Sequence, residues 1–150
     1  MKVYINDKKY SGIDFLEIFS KYKKDVNTIT SIIAIDGLFP VNANWSSFTR
    51  LEKLIVPYKC YNYQVYRNFQ NMESLKYVSL EGVDIICEGA FENCTKLEYV
   101  YLNSCKVIRS RAFYKCTSLA KVQIPSSVTS IGCKTFAGCE RLSSISIPSS

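Results

Sequence analysis

A repeat of 22 to 23 residues limits this chain more than any other feature. The segments GAFENCTKLEYVYL, RAFYKCTSLAKVQI and KTFAGCERLSSISI align on Phe91, Phe113 and Phe136. Cys94, Cys116 and Cys139 keep that spacing, as do Leu97, Leu119 and Leu142. Val100, Val122 and Ile145 follow in step, then Leu102, Ile124 and Ile147. The intervening halves also match, as Val83/Ile86, Cys105/Ile108 and Val128/Ile131. Weaker copies come first. RNFQNMESLKYVSL keeps Phe69, Leu75, Val78 and Leu80, with Met72 in the cysteine slot. SSFTRLEKLIV keeps Phe48, Leu51, Leu54 and Val56 in a shortened form, and TSIIAI supplies a first strand through Ile33 and Ile35.

One such unit cannot bury its apolar side alone, whereas stacked units turn each slot into a continuous ladder. The Val-x-Leu stretch turns alternate residues inward, as the period-2 geometry of a strand requires. Successive strands of one coil then run parallel. The Ala-Phe pair and the polar residues after it suit a short helical turn on the opposite side. The expected fold is a repeat solenoid with a parallel β-sheet of about six short strands and short helical turns opposite.

This pattern gives the cysteines a structural reading. Cys94, Cys116 and Cys139 stand where another copy carries Met72, so the slot wants a compact apolar side chain, and free cysteine behaves as a small hydrophobe. Parallel stacking does not supply the converging geometry of a disulfide. Cys105 fills a valine slot and is expected to be buried, while Cys60, Cys87 and Cys133 fall off the ladders and are the candidate exposed thiols. The chain has seven cysteines but no C-x-x-C and no histidine. No Ser-His-Asp or Cys-His system and no histidine-ligated metal site can be assembled, so neither an enzyme nor a metal or other cofactor is expected.

The stretch AFYKCTSLAKVQIPSSVTSIG, Ala112 to Gly132, resembles the BspA-like, or Treponema-type, leucine-rich repeats. The resemblance covers residues 45 to 150 and is most specific from residue 83 onward. It implies a right-handed solenoid with a ligand-binding role, often as a surface adhesin of bacteria and protozoan parasites.

Residues 1 to 28 depart from the repeat and are expected to cap the solenoid of residues 29 to 150, which holds about five to six repeats. KVYINDKKY reads as a hairpin around Asn6-Asp7. SGIDFLEIFSKYKK places Phe15, Leu16, Phe19 and Tyr22 on one helical face, after a start at Ser11 and Asp14. An independent docking module is the alternative for this segment. At the other end the chain stops at ISIPSS, just after an expected strand, so either the array continues or a second copy or partner covers the core there. Self-association through that end is therefore a second expectation.

In leucine-rich repeats the solvent-facing strand positions form a concave surface. Here they are Lys53/Ile55/Pro57, Tyr77/Ser79/Glu81, Tyr99/Tyr101/Asn103, Lys121/Gln123/Pro125 and Ser144/Ser146/Pro148. Tyr77 and Tyr99 are expected as lateral neighbours, with Tyr101 beside Ser79. Tyrosine joins a rigid contact area to a polar tip and recurs at binding hot spots, although it also simply suits strands. The candidate ligand-binding residues are Tyr77, Ser79, Glu81, Tyr99, Tyr101, Asn103, Lys121 and Gln123. A second candidate is YKCYNYQVYRNF, residues 58 to 69, either a binding loop or a poorly matched repeat. Asn44-Trp45-Ser46 and Asn93-Cys94-Thr95 are formal glycosylation sequons.

Hydrophobic residues make up 47% and charged residues 21%, a globular composition. The net charge of +6 favours acidic partners, but Lys8-Lys9, Lys21/Lys23/Lys24 and Lys106/Arg109/Arg111 are scattered, so no nucleic acid is expected. No apolar run is long enough to insert into a membrane, and Lys2, Asp7, Lys8 and Lys9 interrupt the first dozen residues against a signal peptide. The expectation is a cytoplasmic, non-enzymatic protein-interaction module using its concave face. The alternatives are an assembly component packing through its ends, or a cell-surface or secreted adhesin.

Overall fold

The computed structural model describes residues 2–11, 26–36, 45–56, 64–65 and 69–147. In chain order its strands are β1 (Lys2–Ile5), β2 (Lys8–Ser11), β3 (Ser31–Asp36), β4 (Lys53–Val56), β5 (Gln64–Val65) and β6 (Tyr77–Leu80). β7 (Ile85–Ile86), β8 (Tyr99–Leu102), β9 (Val107–Ile108), β10 (Lys121–Gln123) and β11 (Ser130–Ile131) follow. The longer strands form a seven-stranded sheet in the order β10-β8-β6-β4-β3-β1-β2, and the two-residue strands a four-stranded sheet in the order β11-β9-β7-β5. From β3 to β10 and from β5 to β11 every pairing is parallel, so each coil from β4 onward lends one strand to each sheet.

The repeat is read out as ladders. Ile32, Leu54, Val78, Val100 and Val122 are matched across successive strands, and the first four are fully buried. Burying a side chain of this size contributes about 1.5–3 kcal/mol, a gain available only once a neighbouring coil covers it. Phe69, Phe91, Phe113 and Phe136 stack face to face at centroid spacings of 5.3, 5.4 and 5.6 Å. The second sheet grows from the Val83/Ile86, Cys105/Ile108 and Val128/Ile131 halves, whose two-residue strands are too short to carry an alternation of their own.

Trp45 corrects the alignment of the first copy. Its ring stacks on Phe69 at 5.3 Å, so tryptophan holds the phenylalanine slot, and Phe48 lies tilted against it at 5.2 Å. Phe48 therefore occupies the slot of Met72 and Cys94. The bonds Phe48 N–H to Trp45 O and Leu51 N–H to Phe48 O repeat those of Cys94 to Phe91 and Leu97 to Cys94. The copy is not shortened. The first strand is also shifted by one residue from expectation. Ile32 and Ala34 point inward, with Ile32 opposite Leu54 and half-buried Ile33 opposite Ile55.

Among the described residues, turns rather than helices lie between the sheets. Gly89, Phe91 and Asn93 donate their N–H groups to the carbonyls of Ser110, Ala112 and Tyr114 in the next coil, while Glu92 and Cys94 bond back three residues. Positive φ at Gly89 and Asn93, at Arg111 and Lys115, and at Lys134 and Gly138 turns alternate amides along the solenoid axis. Those amides cannot also close the i to i−4 bonds of an α-helix.

The expected hairpin is present. β1 and β2 pair antiparallel around Asn6 and Asp7, both at positive φ, as a tight primed turn requires. β1 also pairs antiparallel with β3 and buries Val3 and Ile5 against the core. Asn6 pins the hairpin to the first coil, accepting from Thr30 N–H at 2.8 Å and donating to Thr28 O at 2.9 Å. The helix expected around Phe15 to Tyr22 lies outside the described residues, as do Cys60 and most of the 58–69 segment. At the far end no strand forms at Ile145 to Ile147. Ile145 packs partly against the core, and Ile147 is 59% exposed.

Candidate interaction face

Alternation within the parallel strands sets the outward positions. In β8, Val100 and Leu102 are buried, Tyr101 is half-buried, and Tyr99 is 41% exposed. Register then gathers these positions into rows. Lys53, Tyr77, Tyr99 and Lys121 align across β4, β6, β8 and β10, and Ile55, Ser79, Tyr101 and Gln123 align beside them. The lateral neighbours expected from the repeat spacing are those observed. The Tyr77 and Tyr101 rings also meet diagonally, at 5.7 Å and 36°. Lys53 extends its ammonium over the Tyr77 ring at 5.7 Å, a cation–π contact that repeat matching alone did not reveal.

Beside the tyrosines lies a hollow of about 210 Å³ walled by Tyr77, Ser79, Glu81, Tyr101, Asn103 and Gln123. Ser79 differs from expectation. It is 8% exposed, a small residue flanked by Ile55 and Tyr101 and preceded by Tyr77, so it lies low between larger side chains. Asn103, Lys121 and Gln123 are exposed, and Glu81 is half-buried. Burial first, then the neighbouring Tyr101 and Glu81, raise the Tyr77 pKa and keep its hydroxyl neutral, able both to donate and to accept. Pro57 and Pro148 lie outside the described residues, and Ser144 and Ser146 are exposed but belong to no strand.

The cysteines are placed by packing and by hydrogen bonds. Cys94, Cys116 and Cys139 donate their thiols to the carbonyls of Phe69, Phe91 and Phe113 at 3.0, 3.1 and 3.2 Å. The slot therefore uses the thiol as a donor as well as a filler. Burial pushes Cys94 up to about 12 and Cys139 up to about 11, and it raises Cys116 and Cys105 as well. A thiol held neutral in this way is a poor nucleophile and a poor metal ligand. Cys87, expected at the surface, is 8% exposed, and burial raises its pKa against the opposing charge of Arg109. Cys133 is exposed, 3.3 Å from the Ser110 hydroxyl. Asn93, in the second sequon, donates its side-chain amide to Asn71 at 3.0 Å.

Among the described residues no group of three or more cysteine, aspartate or glutamate side chains is placed to hold a metal ion. No helix among them is long and apolar enough to cross a membrane.

Comparison with known proteins agrees with this architecture. The sequence model of the BspA type leucine rich repeat region matches residues 41–150 in six copies. The structure is similar to a leucine-rich repeat protein from Eubacterium ventriosum, with a TM-score of 0.58 and 23% identity over 77% of this chain and 33% of that one. It is also similar to the T. pallidum leucine-rich repeat protein, with a TM-score of 0.52 and 25% identity over 75% of this chain and 62% of the other. The chain thus spans about a third of the first relative and under two thirds of the second. No curated protein matches it. With six copies of the repeat over residues 41–150, and the coils they form, the chain belongs to the BspA-type leucine-rich repeat family.

Proposed function

We propose that this chain is a non-enzymatic protein-interaction module that recognises its partner on the open face of the seven-stranded sheet. Leucine-rich repeat proteins generally serve protein interaction. For this chain the reading rests on one observation, the convergence of Tyr77, Tyr99 and Tyr101 on adjacent strands beside a polar-walled hollow. Rigid aromatic area with polar tips suits a hot spot because little side-chain entropy is lost on binding. The six cysteines among the described residues are unbridged, which favours a reducing compartment such as the cytoplasm over an oxidising one.

The test is partner capture from lysate of the source organism and from host matrix proteins. The native chain is compared with a Tyr77→Ala/Tyr99→Ala/Tyr101→Ala variant of unchanged circular dichroism. A partner held by the native chain and lost by the variant supports the sheet face; partners retained by both contradict it.

A further inference from the structure

The interaction face carries a charge pattern that narrows the kind of partner, an inference that rests on the sheet-face reading above. Lys53, Tyr77, Tyr99 and Lys121 form one row across four adjacent strands, with a cation at each end and two aromatic rings between. Neither terminal lysine makes a salt bridge with a described residue. Glu52, next to Lys53 in sequence, is held instead by Lys76 at 3.0 Å. Glu81 and Asn103 lie four residues beyond the row, just past the ends of β6 and β8, at the opposite margin of the face. Glu81 is thus set apart from the two lysines, while Glu52 and Glu98 adjoin their row. Glu98, one residue before Tyr99, is the remaining carboxylate adjoining the row in sequence.

We propose that this row binds an extended acidic peptide segment of the partner, with carboxylates at positions i and i+4 on the two lysines and an apolar side chain at i+2 over Tyr77 and Tyr99. The distances fit. Three strand spacings of about 4.8 Å separate the Cα atoms of Lys53 and Lys121 by about 14 Å, and the Lys53 ammonium reaches inward from its end over Tyr77. An extended chain rises about 3.3 Å per residue and turns every second side chain to the same side, so positions i, i+2 and i+4 span about 13 Å. Lysine ammoniums at the rim add charge selectivity and association rate, while the tyrosines supply the buried contact.

The probe is the synthetic peptide Ser-Glu-Thr-Phe-Thr-Glu-Ser, titrated into the full chain and followed by amide chemical shifts. The expected result is saturable shifts at Lys53, Tyr77, Tyr99 and Lys121, weakened about three- to tenfold by K53E or K121E. Replacing both glutamates of the peptide by lysine abolishes binding to the native chain and restores it to the K53E/K121E double variant. Both lysine positions are exposed, so the variants retain the fold.

The proposal is overturned if the lysine-bearing peptide binds the native chain equally well, or if no shift saturates. It is also overturned if a heparin-derived tetrasaccharide perturbs the same amides more strongly, which would assign the row to a sulfated glycan. The two levels of the account fail separately. Charge reversal without effect on a captured protein partner that Tyr99→Ala releases would remove the acidic peptide and leave the sheet face standing. Indifference to both substitutions would remove the two together.

Discussion

The Cys116 thiol donates to the carbonyl of Phe91, 3.1 Å away in the preceding coil and 25 residues back along the chain. The bond joins two slots of the repeat, and it recurs between Cys94 and Phe69 and between Cys139 and Phe113. Replacing Cys116 by alanine removes the donor and leaves a small cavity in a fully buried site. The expected loss is about 1–3 kcal/mol in urea unfolding. A change within about 0.5 kcal/mol, the range of an ordinary surface substitution, would show that the bond does not matter.

The same thiols make stability depend on alkaline pH. Cys94 has a folded pKa of about 12 against 9.0 for the free group, so folding favours its protonated form. Below pH 9 the thiol is neutral in both states and its contribution is complete. Above pH 9 the unfolded chain ionises first, and stability falls until the pH reaches the folded value. At pH 10 the loss for this buried thiol is about 1.4 kcal/mol. Unfolding midpoints from pH 8 to pH 11 should decline less steeply in Cys94→Ala than in the native chain. Equal slopes would contradict the account.

Thiol labelling separates the surface from the core. Under native conditions an alkylating reagent should modify Cys133 at least tenfold faster than Cys87, Cys94, Cys105 or Cys116, because only Cys133 of these is exposed. Peptide mass mapping reads the order directly, and early labelling of Cys87 would contradict its burial.

The corrected alignment predicts an asymmetry between two neighbouring aromatics. Phe48→Met places methionine where Met72 already fits one coil later, and should cost under about 1.5 kcal/mol. Trp45→Ala breaks the aromatic stack at its first ring and should cost about 3–5 kcal/mol. Thermal unfolding of the two variants checks the ranking, and a larger loss in Phe48→Met would restore the original alignment.

Gly132 occupies the slot of Arg109 in the coil below it, yet no side chain fits there. A Cβ would stand 2.2 Å from the Ser110 nitrogen and 2.7 Å from the Arg109 carbonyl carbon, both main-chain atoms. The Gly132 N–H donates to Ile108 O at 2.7 Å, which holds the coils at that distance. Gly132→Ala should destabilise by about 1–3 kcal/mol through overpacking, measured by urea unfolding. An unchanged midpoint would mean that the last coil shifts freely.

What could be read from the sequence follows from how the ladders are written. The column through Phe91, Leu97, Val100 and Leu102 recurs with the same residue types, so its coils and outward rows were legible, including Tyr77 beside Tyr99. Where the types change, legibility drops. Tryptophan replaces phenylalanine at residue 45 while a phenylalanine stands three residues later, and that nearer match misleads. The run Ile32-Ile33-Ala34-Ile35 has no polar residue to mark a face, so pairing with β4 and β1 decides its register. The slot of Cys87 holds Arg109 and Gly132 in other coils, and no pattern there announces burial. Ser79 lies low because of the size of its lateral neighbours, which a single strand does not encode.

Side-chain footprinting with hydroxyl radicals tests the central claim most directly, because tyrosines stand on two separate surfaces. Tyr77, Tyr99 and Tyr101 lie on the open sheet, while Tyr114 sits among Arg111 and Lys115 on the turns between the sheets, with both cations over its ring at 5.8 and 5.4 Å. In complex with a captured protein partner, Tyr99 and Tyr101 should become protected and Tyr114 should oxidise at its free rate. Protection of Tyr114 with Tyr99 unchanged would place recognition on the turns and contradict the account.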